Sequence, residues 1–126
     1  MTPPNWITDE RTWLSDCRGV TKACKDYLDG CLGLIEASRQ LTSFAHSLRE
    51  DHYSDFAFFI AVESETDHLP VGSYREQWAI DSLKIKDEEI DSIEKFFRGD
   101  AHASAASLLE RFQDAAPVPL DQELQE

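Results

Sequence analysis

The stretch CRGVTKACKDYLDGCLGLIEASRQLTSFAHSL, residues 17–48, decides the fold. Two sets of residues within it recur every seven positions, and the sets interleave at steps of three and four. The small set comprises Cys17, Cys24, Cys31, Ser38 and Ala45, and the larger apolar set comprises Val20, Tyr27, Leu34, Leu41 and Leu48. This spacing is typical of one helical face, on which small side chains admit a second helix at close range.

The length of this stretch requires a bend or a break. A continuous helix over residues 17–48 would be about 48 Å long, whereas a compact chain of this size has a radius of gyration of about 14 Å. Gly30 and Gly33 lie in the middle, and each lowers helix stability relative to alanine. The sequence leaves open whether the helix is continuous or broken near these glycines.

Two further helices are predicted on either side of this stretch. The first is capped by Thr8 and ends in a short break at Gly19. The second covers the apolar run at residues 56–62, capped by Ser54 or Asp55. Helix is preferred to strand there because no second strand is available for pairing. Since this run is apolar on all sides, we expect it to be the most buried element.

The remaining chain predicts three helices and a tail. One begins with a capping box at Ser73, one runs from a cap at Asp87 to a stop at Gly99, and one is capped by Asp100. Residues 115–126 are predicted to be a frayed tail. The apolar positions of these helices are Trp78, Ile80 and Leu83, then Ile90, Ile93, Phe96 and Phe97, then Ala101, Ala105, Leu108 and Phe112. The fold expected is all-α: residues 1–126 form a single-domain antiparallel bundle of about five helices.

Composition and cysteine usage indicate a cytoplasmic protein. The mean hydropathy is −0.46, and no apolar run approaches the length of a membrane helix. The first residues lack the basic and apolar regions of a secretory signal. The cysteines are three in number, lie seven residues apart and form no C-x-x-C pair. They are therefore predicted to be reduced, buried core residues rather than disulfide or zinc partners.

The charge is strongly acidic and uneven. Residues 1–50 hold seven acidic and six basic side chains, a net charge of −1. Residues 51–126 hold the other 18 acidic and six basic side chains, a net charge of −12. Such a surface repels nucleic acid and anionic lipid, so the expected partner is a basic protein, unless the charge serves solubility alone. The candidate partner-binding residues are Glu76, Asp81, Glu88, Glu89 and Asp91.

One stretch, residues 63–78, concentrates side chains capable of chemistry. Glu63 continues the apolar face of the preceding helix and needs a partner, for which Arg75 is the candidate. Whether this pair is structural or forms a site stays open. Glu65 and His68 have the E-x-x-H spacing of di-iron bundles, but such sites need two pairs, so no metal or other cofactor is expected. The candidate ligand-binding residues are Glu63, Glu65, Asp67, His68, Tyr74, Arg75 and Trp78.

Two functional hypotheses follow from these observations. The first is a small acidic binding protein without catalytic residues, such as an inhibitor, antitoxin, immunity or adaptor protein. The second is a small-ligand- or metal-binding protein that uses residues 63–78. Nucleophilic catalysis and nucleotide binding lack their G-x-S-x-G, Walker and dinucleotide motifs. The abundance of large apolar residues also predicts a homodimer.

Overall fold

The structure of the protein, a computed structural model, describes residues 3–69, 71, 75–76 and 78–113. This part of the chain is all-helical and contains no strand, as predicted. It forms a helical bundle of four helices rather than about five. They are α1 (Glu10–Leu28), α2 (Leu34–Ser47), α3 (Ser54–Thr66) and α4 (Ile80–Gln113).

The first helix begins one residue later than predicted and does not break. Asp9, rather than Thr8, is the N-cap, and its Oδ1 accepts a hydrogen bond from the Thr12 backbone N–H at 3.2 Å. The helix then passes through Gly19. A Cβ at Gly19 would lie 2.3 Å from Cζ of Phe44. The glycine therefore allows the Phe44 ring of α2 to pack directly against α1 and does not end the helix.

The 17–48 stretch is broken at residues 29–33. Gly30 has a φ of +83°, in the left-handed region that favours glycine. After the turn, α2 begins at Leu34, whose backbone N–H donates to Oε1 of Glu94 at 3.2 Å. Cys31 falls in this turn and is exposed, so the prediction that it is buried was wrong. The break explains the exposure, because residues in the turn no longer follow the helical repeat.

The two sets of residues that recur every seven positions otherwise form the core. The buried members of the small set are Cys17, Cys24, Ser38 and Ala45, and all five members of the larger apolar set are buried. Three side chains of α3 complete the core together with four of α4: Phe56, Phe59 and Val62, and Ala101, Ala105, Leu108 and Phe112. The helix predicted over residues 56–62 is confirmed as part of α3. It is not buried on all sides, because Ala57 and Ala61 are exposed.

The two helices predicted after Asp87 are one helix. Asp87, Gly99 and Asp100 all lie inside α4, so neither the caps nor the stop exists. An isolated glycine only lowers helix stability, and the core positions of α4 continue beyond it, which favours continuing the helix. The helix predicted from Ser73 cannot be compared at its start, because Ser73 lies outside the described residues. Residues 75–76 form a 3₁₀ turn ahead of α4.

The first half of α4 is far less buried than its second half. All of its fully buried side chains lie between residues 101 and 112. Of the apolar residues predicted to face the core in the first half, Ile90, Ile93 and Phe97 are half-buried. Ile80 and Phe96 are 84% and 80% exposed. The predicted tail at residues 115–126 lies outside the described part of the chain.

Candidate functional site

The predicted ligand site around residues 63–78 is spread over the surface. Glu63 is half-buried near the end of α3, whereas Glu65 and Asp67 are exposed. His68 is also exposed, and Trp78 is 36% exposed. Tyr74 lies outside the described residues.

The cations of this stretch are bound by carboxylates of α4. Arg75 donates hydrogen bonds to both oxygens of Asp87, with Nη2 at 2.9 Å from Oδ2. The Nε2 atom of His68 lies 3.2 Å from Oε1 of Glu89, and Lys86 reaches the other oxygen of Glu89 at 3.4 Å. The predicted Glu63–Arg75 pair was therefore wrong about the partner, because the turn places Arg75 beside α4 instead of α3.

These contacts lower the pKa of the carboxyl groups of Asp87 and Glu89. The hydrogen bond from Arg75 lowers the pKa of Asp87. The pKa of Glu89 is lowered by the hydrogen bond with His68 and, to a smaller extent, by Lys86. Both carboxylates are thus stabilised in their charged forms, and they fasten the segment before α4 to the helix.

The candidate partner-binding acids divide into bound and unbound groups. Glu89 is bound to His68, and Asp91 lies 2.9 Å from Nζ of Lys95. Glu76, Asp81 and Glu88 are exposed and make no salt bridge within the described part of the chain. The acidic surface left for a partner is therefore smaller than the sequence indicates.

The unbound acids on α4 lie beside exposed apolar side chains. Ile85 is 66% exposed, and Asp81 and Glu88 are its neighbours at i−4 and i+3 on the helix surface. Phe96, three helical turns further on, lies on the same side. We refer to Asp81, Ile85, Glu88 and Phe96 as the outer face of α4. Exposed apolar patches rimmed by polar residues mark interaction sites, whereas single exposed apolar residues are common.

A groove lies where the N-terminal segment meets α1 and the end of α2. Its volume is about 360 Å³, and its lining includes Trp6, Asp9, Trp13, Asp16 and Arg49. The guanidinium carbon of Arg49 lies 4.5 Å from the centroid of the Trp6 ring. This groove was not predicted from the sequence. The available signal was Arg49 itself, which follows α2 at a position where glycine commonly ends a helix.

Neither metal-ligand groups among the described residues nor similarity to known proteins indicates a function. The described residues contain no group of three or more His, Cys, Asp or Glu side chains placed to hold a metal ion. No helix in the described ranges is both long enough and apolar enough to cross a membrane. Comparison of the chain with protein-family models, curated proteins and solved structures finds no match.

Proposed function

We propose that the protein is a non-catalytic binding protein, whose outer face of α4 docks on a basic protein partner. The observation that carries this proposal is the exposure of Ile85 beside two unbound carboxylates, with the exposed Phe96 three turns further along the same side of α4. An inhibitor, antitoxin, immunity or adaptor protein would act in this way. The cytoplasm is the proposed compartment, because the three cysteines are free thiols.

The apolar side chains would supply the affinity. Covering a large apolar side chain yields about 1.5–3 kcal/mol, so Ile85 and Phe96 leave a substantial favourable term unused in the isolated chain. Aromatic residues are also enriched among the side chains that dominate binding energy. Phe96 is therefore the proposed anchor of the interface.

The carboxylates would select the charge of the partner. Asp81 and Glu88 lie beside Ile85, and the second half of the chain has a net charge of −12. Complementary charge around an apolar centre raises the association rate and excludes partners of the same sign. A segment with apolar residues flanked by Lys or Arg would match the outer face of α4.

A second copy of this chain, and a small ligand or metal, have weaker support as binding partners. Two copies of this chain would each bring a net charge of −13 to the interface, which opposes the predicted homodimer. The hypothesis of a small-ligand or metal site at residues 63–78 is weakened, because two of the candidate side chains are already bound. Glu89 binds His68, and Asp87 binds Arg75.

Site-specific photo-crosslinking in native lysate tests the proposal. A photoreactive residue at position 96 is expected to attach to a Lys- or Arg-rich segment of a partner. The same probe at the exposed position 106, in the second half of α4, serves as the control. Crosslinks at 96 only to another copy of the chain, or equal crosslinking from both positions, would overturn the proposal.

A further inference from the structure

The first two helices end in the same hydrogen-bond pattern around different residues. At each end, one backbone N–H donates to the carbonyl oxygen three residues earlier, with N and O 3.1 Å apart. The next N–H donates to the carbonyl oxygen five residues earlier at 2.8 Å. This is the Schellman motif, which places one residue in the left-handed region. That residue is Gly30 after α1, with φ +83°, and Arg49 after α2, with φ +56°.

Arginine is an unfavourable residue for this position. Its Cβ crowds the following carbonyl when φ is positive, whereas glycine adopts the same conformation freely. Among the described non-glycine residues, Arg49 alone has a positive φ. Residues held in this backbone conformation cluster at functional sites.

Arg49 lines the groove described above, together with aromatic and acidic side chains. Its guanidinium lies over Trp6, which remains 38% exposed. Asp9 is occupied as the N-cap of α1. Asp16 accepts a hydrogen bond from the hydroxyl of Ser47 through Oδ2 alone, which fixes its carboxylate. Among the described residues that line it, the groove thus presents one cation, Arg49, one available carboxylate oxygen, on Asp16, and the exposed indole of Trp6.

We infer that this groove binds a free α-amino acid with an apolar side chain. Arg49 would bind the carboxylate, Asp16 the ammonium group, and the exposed part of the Trp6 indole ring the side chain. A volume of about 360 Å³ lies at the lower end of the range for small-molecule sites and suits a single amino acid. This inference does not depend on the proposed function, because the groove and the outer face of α4 share no residue.

Titration of the ¹⁵N-labelled full chain, followed by NMR at the Trp6 indole N–H, tests the ligand class. The probes share one side chain: L-phenylalanine, phenethylamine without the carboxylate, and 3-phenylpropionate without the ammonium group. L-Phenylalanine is expected to give saturable shifts, with each analogue binding at least about tenfold more weakly. No saturable shift with L-phenylalanine up to about 10 mM, or equal binding of either analogue, overturns the inference.

Variants test the residues. Arg49→Gly suits the left-handed backbone, so it is expected to preserve the melting temperature while weakening L-phenylalanine binding by about tenfold or more. Asp16→Asn keeps an acceptor for Ser47 and is expected to weaken binding as well. The exposed Arg98→Gln serves as the control and should bind normally. Unchanged affinity in Arg49→Gly overturns the inference. If that variant is less stable, unchanged affinity in Asp16→Asn decides against it instead.

Discussion

At the scale of single residues, the cysteines differ in chemistry although they share one repeat. Cys17 and Cys24 are fully buried, and Cys31 is exposed. Burial raises the pKa of Cys17 to about 11 and that of Cys24 to about 12, so both thiolates are scarce near neutral pH. The repeat predicted the first two correctly. It failed at Cys31 because α1 ends at Leu28 and Cys31 lies in the turn that follows.

Thiol titration at pH 8 checks this difference. One thiol per chain is expected to react rapidly with a disulfide reagent, and the other two only after denaturation. Cys31→Ser should abolish the rapid phase. Rapid labelling of two or three thiols, or its persistence in Cys31→Ser, would mean that Cys17 or Cys24 is accessible.

Gly19 and Gly99 form a matched pair, since both lie inside helices. A Cβ at Gly99 meets nothing within 4 Å, whereas one at Gly19 would meet the Phe44 ring at 2.3 Å. Gly99→Ala is therefore expected to stabilise the protein by about 0.5–1 kcal/mol. Gly19→Ala is expected to destabilise it, because overpacking costs about 1–3 kcal/mol.

Denaturant unfolding measures both variants. In a Phe44→Ala background the penalty of Gly19→Ala should disappear, since the ring that it meets is gone. Equal effects of the two glycine substitutions would show that Phe44 moves aside without cost.

At the scale of elements, pairs of charges fasten the segment before α4 to that helix. Asp87 and Glu89 have lowered pKa values through Arg75 and His68 respectively, from ordinary values of 3.8 and 4.5. A carboxyl group whose pKa is lower in the folded state stabilises the fold above its unfolded-state pKa. That contribution is lost as the pH falls through the folded-state value.

We therefore expect the stability difference between the wild type and Asp87→Asn to be full at pH 7, because Arg75 keeps its charge over the whole range. It should shrink as the pH falls below about 4, because the wild-type carboxylate becomes protonated. Urea unfolding at a series of pH values measures it. A difference that stays constant or grows in acid would contradict the assigned Arg75–Asp87 pair.

The end of α4 is held to the turn between α2 and α3 by Arg111. The Nη2 atom of Arg111 lies 2.9 Å from Oε1 of Glu50, and the two side chains are 27% and 25% exposed. The guanidinium carbon lies 4.2 Å from the centroid of the Tyr53 ring. Arg111→Ala is expected to cost about 1–3 kcal/mol, and Arg111→Lys should recover only part of it. Thermal unfolding checks this order. A lysine variant as stable as the wild type would show that the planar guanidinium contributes nothing beyond its charge.

Helix type was predictable from sequence, whereas helix ends and exposure were not. The run at residues 56–62 was assigned correctly as helix because a lone strand would leave its backbone unpaired. Gly99 looked like a stop, but only tertiary packing decides between a stop and a tolerated interior glycine. Phe96 looked like core because two adjacent phenylalanines do not reveal which of them faces the neighbouring helices. The ring of Phe97 packs against Phe58 of α3, and Phe96 lies on the outward side. The groove was missed because its walls are distant in sequence.

At the scale of the whole molecule, charge and exposed apolar surface meet on the first half of α4. A net charge of −13 opposes self-association and the approach of nucleic acid by like-charge repulsion. Since Glu89 is bound to His68 and Asp91 to Lys95, the acids proposed to meet a partner are Asp81 and Glu88. Neither contributes a salt bridge within the described ranges.

The central claim is that this surface binds a basic partner. The most direct test is the salt dependence of the dissociation constant for the partner crosslinked at position 96, measured for three chains. These are the wild type, Asp81→Asn/Glu88→Gln, and the control Asp51→Asn/Glu110→Gln, whose exposed acids lie elsewhere. We predict that affinity falls as salt rises in the wild type and the control. The Asp81/Glu88 variant should bind more weakly, depend less on salt and keep its melting temperature. Equal affinity of all three chains at low and high salt would contradict the claim.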